Sequence, residues 1–288
     1  MIEAITIFKR LIRYKLTLAV ALSATIGYVF SGAMALWPAA LIALGVILLS
    51  GASSVLNQIQ ERKEDAQMAR TADRPIPAGK ITLQKSFIIF SALILTGTLV
   101  LLQVNFQAAA IGVFTILLYN GIYTPLKKIT TLSIFPGAMV GALPPVIGWV
   151  GGGETIADPA IMILAGFMFM WQMPHFLLLA VKYHEQYKNA GFQVALSDSV
   201  SGQTRWLLLL WVITTSFAAL FFPFFGLVQS PVIVAAIIIL NMALILLFFQ
   251  MAFKAQDQIF KTRLHRYVSL YMVVFLLLIA ADSIISTI

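Results

Sequence analysis

The sequence predicts an all-α, polytopic membrane protein of nine transmembrane helices with its N-terminus in the cytoplasm. Three observations predict it. First, 60% of the 288 residues are hydrophobic and 10% are charged, with a mean hydropathy of +0.95; a soluble domain carries about 25% charged residues. Second, nine apolar stretches are each long enough, at roughly 20 residues, to cross a bilayer core. Third, all 19 Lys and Arg fall in five clusters, at 9–15, 62–85, 127–128, 182–205 and 254–266. Successive clusters are separated by two apolar stretches, so all lie on one side, and the positive-inside bias makes that side the cytoplasm. The net charge of +8 is thus a topology signal and not a nucleic-acid footprint. The chain has no cysteine, which excludes disulfides, thiolate metal sites and cysteine nucleophiles.

Residues 1–16 mix Lys9, Arg10, Arg13 and Lys15 with Ile, Phe and Leu and read as an amphipathic cytoplasmic lead-in. The first two spans are expected at about 17–36 and 38–57, turning at Trp37 and Pro38. A long polar stretch follows, then spans three and four at about 86–104 and 107–126. Span five, about 131–150, holds Pro136, Gly137, Gly141, Pro144, Pro145 and Gly148. So many breakers predict a kinked or unwound segment facing protein or a water-filled cavity. Spans six to nine are expected at about 160–181, 206–225, 231–253 and 267–288. Polar inner loops after spans two and six suggest two related four-span halves facing one cavity, with the ninth helix appended. The whole chain, 1–288, reads as a single domain.

The stretch from Asn57 to Lys80 carries the chemistry. Asn57, Glu61 and Asp65 recur every four residues and so share a helix face. Three oxygen-bearing side chains on one stripe suit a hard cation such as Mg²⁺. Arg70 and Arg74 repeat the spacing before Pro75 and Pro77 stop the helix. Oxygen ligands beside guanidinium forks suggest a metal-bridged phosphate or diphosphate. A solvated loop of mixed charge is the alternative.

Three further groups accompany it. Tyr123 and Lys127, with Lys128 beside them, share a face at the inner end of span four and can reach a phosphate; an aromatic belt plus positive-inside lysines would look the same. His175 lies inside span six with Trp171, Gln172 and Pro174 around it. An ionisable residue there marks a functional site by default, although a neutral histidine bonded to another helix is the plain reading. His184 and His265 are placed in inner loops. Glu185, in the loop at 182–205 with Lys182, Lys188 and Asp198, offers a second metal ligand facing Glu61 and Asp65, or simply a salt-bridged loop helix. Asp282 reads as an interfacial residue.

NxxxExxxDxxMxRTxxRPxxxG at 57–79, YTPLKKIT at 123–130, GALPPVIGW at 141–149 and WQMPH at 171–175 together resemble the intramembrane prenyltransferases of the UbiA superfamily. The last two segments resemble its heme-farnesylating branch. The resemblance implies nine helices around a central cavity in a bacterial cytoplasmic (inner) membrane, with the active site on the cytoplasmic side. It implies Mg²⁺-dependent transfer of a farnesyl group from farnesyl diphosphate to a vinyl group of heme B, giving heme O. Asn57, Glu61 and Asp65 would hold Mg²⁺ and diphosphate. Arg70, Arg74, Lys127 and Lys128 would neutralise the departing diphosphate with Tyr123 beside them. His175 would contact the heme, with Trp171 packed on the porphyrin. Partners implied are the lipid bilayer and the downstream heme A synthesis or terminal-oxidase assembly machinery. The chain departs from the family pattern at Gln186, where an acidic residue is common, and at GFQVA, 191–195. Prenylation of an aromatic quinone precursor and a membrane transporter are the competing functions.

Overall fold

A computed structural model describes residues 2–194, 201–254 and 257–287, and side chains for 3–194, 201–251 and 263–286. Asp198 lies outside the described residues. The described chain is helical: α1 (Ile2–Leu11), α2 (Tyr14–Phe30), α3 (Leu36–Gln60), α4 (Arg62–Gln67), α5 (Leu83–Leu102) and α6 (Phe106–Ile116). A π-helical turn (Leu117–Tyr123) and α7 (Thr124–Leu126) prolong α6, and α8 (Ile134–Gly151), α9 (Pro159–Lys182), α10 (His184–Asn189), α11 (Gly202–Phe224), α12 (Pro231–Lys254) and α13 (Asp257–Thr287) follow. Among the described residues, eight helices are long and apolar enough to cross a membrane, and α2, at 17 residues, is a shorter apolar helix. Leu95, Ile88, Met162 and Leu210 are exposed on these helices, as side chains facing lipid are. The chain is an integral membrane protein.

Helix ends follow local chemistry. Thr82, Asn105 and Asp158 cap α5, α6 and α9 by accepting from backbone N–H groups two or three residues on. Gly32, at φ +82°, lets the chain turn out of α2. The first apolar helix therefore ends at Phe30, earlier than the expected first span, because residues 31–35 form the turn.

The chain divides into two compact units, one of residues 1–155 with 185–193, the other of 156–184 with 194–288. The first holds α2 to α8 and the second α9 and α11 to α13, so the eight span-length helices among the described residues divide four and four, with the shorter apolar helix α2 in the first unit. This corrects the expected appended ninth helix, since α13 is one of the second unit's four. Span five, expected to be kinked or unwound, is not unwound: α8 is continuous through Pro144 and Pro145, and Gly137, Pro144, Pro145 and Gly148 are buried, facing protein as expected. The small residues let two backbones meet instead of ending the helix. A Cβ on Gly27 would lie 2.0 Å from the Pro145 carbonyl oxygen, and one on Gly148 would lie 1.8 Å from that of Ala24. Between helices already in lipid, association rests on such close packing. Gly148→Ala should therefore force α2 and α8 apart and destabilise by about 1–3 kcal/mol or more, as overpacking does, seen as a lower melting temperature in detergent.

In the second unit the core is aromatic. Phe167 sits 4.1 Å from Phe275, centroid to centroid, and Phe222 packs edge-on to both. Buried Tyr271 donates to Asn241 Oδ1 at 2.7 Å, which satisfies its hydroxyl away from water. Asp282 proves to be buried, accepting from the N–H groups of Gln229 and Ser230 at 3.0 and 2.8 Å. It fixes the turn before α12.

Candidate active site

The end of α3 carries the polar stripe inward. Asn57, Glu61 and Asp65 are 1%, 4% and 1% exposed, so this is not a solvated loop. The chain breaks at Glu61, between α3 and α4, yet the Asp65 N–H still reaches the Glu61 carbonyl at 2.7 Å. The three residues therefore remain in one helical progression. Burying two carboxylates requires counter-charges, and both have them. Arg74 Nη1 lies 2.7 Å from Asp65 Oδ2, and Lys127 Nζ lies 2.5 Å from Glu61 Oε1. Lys128 pairs with Glu64 at 2.6 Å.

These charges shift one another. Burial raises the Asp65 pKa, and the Arg74 ion pair only partly opposes it. Burial lowers that of Arg74, helped by Arg13, whose backbone is left-handed at φ 53° where α1 joins α2. Burial works to lower the Lys127 pKa, but Glu61, Tyr123 and Tyr119 outweigh it and the net shift is upward.

The π turn presents the opposing wall. Its wider ring lets Thr124 donate to the Tyr119 carbonyl, 2.9 Å away, and Thr124 Oγ1 in turn accepts from Asn57 Nδ2 at 3.3 Å. Asn120 is buried and exchanges bonds with Ser53 and Gln60 of α3. Tyr123 places its ring 4.8 Å from Lys127 Nζ. π turns occur frequently at functional sites, and this one fixes the lysine pair against the acidic stripe.

The segment 185–193 closes on the first loop. Arg70 Nη2 donates to the Tyr187 hydroxyl at 2.9 Å, and the Arg70 N–H donates to Gln186 Oε1 at 3.3 Å. Phe192, Ala190 and Met68 are buried together with Tyr187 packed on them, and Gln193 N–H bonds the Lys127 carbonyl. Gln186, the departure from the family pattern, is thus a structural clamp. Glu185 is exposed. Among the described residues no three His, Asp or Glu side chains gather as a metal-binding group, so Glu185 is not brought together with Glu61 and Asp65.

The donor set itself fits a hard cation. Asp65 Oδ1 is buried with no hydrogen-bond partner among the described residues, and Glu61 and Asn57 add further oxygens. Mg²⁺ commonly takes one or two carboxylates and completes its shell with water and substrate phosphate. Glu61 and Asp65 are already balanced by Lys127 and Arg74, so a dication needs an accompanying anion. The site suits a metal and a diphosphate together.

In the second unit, Trp171 and His175 lie one turn apart on α9, ring centroids 4.8 Å apart. Trp171 Nε1–H donates to the Val268 carbonyl of α13 at 2.8 Å. His265 is not in a loop. It lies on α13, its ring 4.6 Å from that of His175. Leu264, Val268 and Tyr271 are buried at helical spacing there, so the basic segment continues the last span as a helix beyond its apolar part.

Sequence reasoning missed Asn120, Thr124, Gln60, Tyr187 and His265. An Asn inside an apolar run was the one available signal, for Asn120.

Apolar helices, one of them ending in buried carboxylates matched by lysine and arginine, define a polytopic membrane protein with a buried, charged site at the end of α3. The UbiA prenyltransferase family matches residues 17–279, and the chain belongs to that family. It is 35% identical over 226 residues to protoheme IX farnesyltransferase of Nitratidesulfovibrio vulgaris (strain DP4), covering 76% of this chain and 77% of that protein. It is 31% identical over 281 residues to the protein of the same name from Flavobacterium psychrophilum, covering 94% and 93%. Its fold is similar to that of a UbiA homolog from Archaeoglobus fulgidus bound to GPP and Mg²⁺, with a TM-score of 0.67 and 16% identity, over 95% of this chain and 99% of that one.

Proposed function

We propose that this enzyme transfers the farnesyl group of farnesyl diphosphate to a vinyl group of heme B, making heme O at the cytoplasmic face of a bacterial inner membrane. The observation that carries the prenyl-diphosphate half is the buried Asp65 carboxylate, with one oxygen on Arg74 and the other unpartnered. The acceptor half rests on the names of the relatives and on the His175 cluster.

In this reading Asn57, Glu61 and Asp65 hold Mg²⁺, which neutralises negative charge on the diphosphate. Arg74 and Lys127 turn from their carboxylates to phosphate oxygens as the substrate enters. Arg70, Lys128 and the Tyr123 hydroxyl complete the cradle. The allylic C–O bond breaks with its electron pair leaving on the diphosphate, whose developing charge these fixed groups stabilise. The vinyl π electrons form the new C–C bond, and water then adds to the resulting cation and loses a proton. Walls of apolar side chains keep water from the farnesyl cation before that bond forms. The nine-span topology, with reporters after 80, 128, 190 and 260 inside and those at 152 and 228 outside, follows from the basic clusters.

Because a dication and a diphosphate balance each other here, each should tighten the other. Calorimetric titration should show Mg²⁺ binding strengthened roughly 5–150-fold by a non-hydrolysable farnesyl diphosphate analogue, with the reciprocal gain for the analogue. For the function itself, heme extracted from cells expressing the protein should gain the mass of a farnesyl group plus a hydroxyl group. Unaltered heme alongside a prenylated aromatic acid would overturn the assignment.

A further inference from the structure

His175 is held by more than its neighbouring rings. Ser269 Oγ, on α13, lies 3.4 Å from His175 Nδ1, and the same oxygen lies 2.8 Å from the carbonyl oxygen of His265 one turn earlier. A hydroxyl has one proton and two lone pairs. The carbonyl can only accept, so the Ser269 proton is committed to it. What Ser269 offers His175 is therefore a lone pair, and the Nδ1 atom facing it must carry the hydrogen. A neutral imidazole protonated at Nδ1 has its lone pair at Nε2. The contacts with Trp171 and His265, at 4.8 and 4.6 Å between centroids, restrain the ring plane. The Trp171 indole bond to the Val268 carbonyl ties α9 to the turn of α13 that carries Ser269.

We infer that Ser269 is a positioning residue that fixes the His175 tautomer, Nδ1 protonated and Nε2 bare, and so presents Nε2 as the ligand atom for a porphyrin iron. The iron half rests on the acceptor proposed above. The tautomer half stands on the hydrogen bonds alone. Metal-binding histidines are commonly oriented by such a bond from the other ring nitrogen.

The two halves are tested separately on the full chain in nanodiscs. With ¹⁵N-labelled histidine the protein shows three imidazoles, and His175 is assigned by its loss in His175→Ala. At a pH where the ring is neutral, Nδ1 should give the protonated, pyrrole-type shift and Nε2 the pyridine-type shift. Ser269→Ala should move the proton to Nε2, the position favoured by free imidazole, while Ser269→Thr, which keeps the hydroxyl, should retain the wild-type pattern. Titrated with ferric protoporphyrin IX, Ser269→Ala should bind roughly tenfold to a hundredfold more weakly, with Ser269→Thr near wild type and farnesyl diphosphate binding unchanged in both. A wild-type His175 protonated at Nε2, or a Ser269→Ala tautomer that does not move, overturns the inference about Ser269. Wild-type porphyrin affinity in His175→Ala instead overturns the iron role and the acceptor reading behind it, leaving the tautomer to be decided by the shifts.

Discussion

Asp65→Asn is expected to leave a folded membrane protein whose transfer rate has fallen by roughly a hundredfold to a thousandfold, the loss typical when one preorganised electrostatic group is removed. The amide keeps the shape and hydrogen-bonding size of the carboxyl but cannot offer charge to a dication. Folding should survive for a reason visible in the pKa. Burial raises the Asp65 pKa more than Arg74 lowers it, so the folded state binds this proton more tightly than the unfolded chain does. Stability then falls as pH rises from the ordinary carboxylate value to the raised folded one, and the ionised carboxylate is a cost at neutral pH. Asparagine removes that cost but also takes the carboxylate from the largely buried Arg74 guanidinium, so the two effects oppose and the melting temperature at neutral pH should stay close to wild type. The same proton competes with Mg²⁺. Wild-type metal affinity, measured with the diphosphate analogue present, should weaken on acidification through a range above that of an ordinary carboxyl, and the variant should lose this dependence. Near-normal turnover by Asp65→Asn would remove Asp65 from the metal site.

His175→Phe should abolish heme binding while leaving farnesyl diphosphate affinity unchanged. Phenylalanine preserves the ring that packs between Trp171 and His265 and avoids the cavity that alanine would leave, a loss of about 2–5 kcal/mol for a large core side chain. It removes both nitrogens. If Nε2 ligates the iron, porphyrin affinity should drop at least about a hundredfold, beyond the range for losing an outer-shell partner alone. The proposed diphosphate ligands all lie in the other compact unit, so an analogue should bind as before. Loss of both ligands together would mean that the ring holds the fold and touches no substrate. Retained heme binding and turnover would make His175 a packing residue.

Much of this was legible beforehand, for identifiable reasons. Spans declare themselves because uninterrupted apolar runs cannot be anything else, and the Asn57–Glu61–Asp65 stripe shows because four-residue periodicity is a local property. The roles of Gln186 and Asp282 were hidden because each depends on which backbone N–H comes to meet it. Pro144, Pro145 and Gly148 were read as breakers, since sequence does not show that Ala24 and Gly27 lie against them. His265 was misplaced because the basic residues delay the hydropathy signal to about 267, whereas α13 already runs from Asp257. Gln60, Thr124 and Tyr187 act through partners about 60 to 117 positions away, beyond any local pattern.

The π turn at Leu117–Tyr123 carries one residue more per hydrogen-bonded ring than the α-helices on either side. If that ladder relaxed to regular α geometry with every residue kept, the extra residue would be passed on to the helix beyond it. Everything downstream would then rotate by about 100° and advance by about 1.5 Å along the axis. Lys127 would leave Glu61 and Thr124 would leave Asn57, yet the apolar run would remain long enough to insert. Targeting to the bilayer and competence for chemistry are therefore encoded separately in this helix. Substitutions that restore the α ladder without altering its hydropathy would give a protein of normal abundance and normal hydropathy profile with no working phosphate cradle.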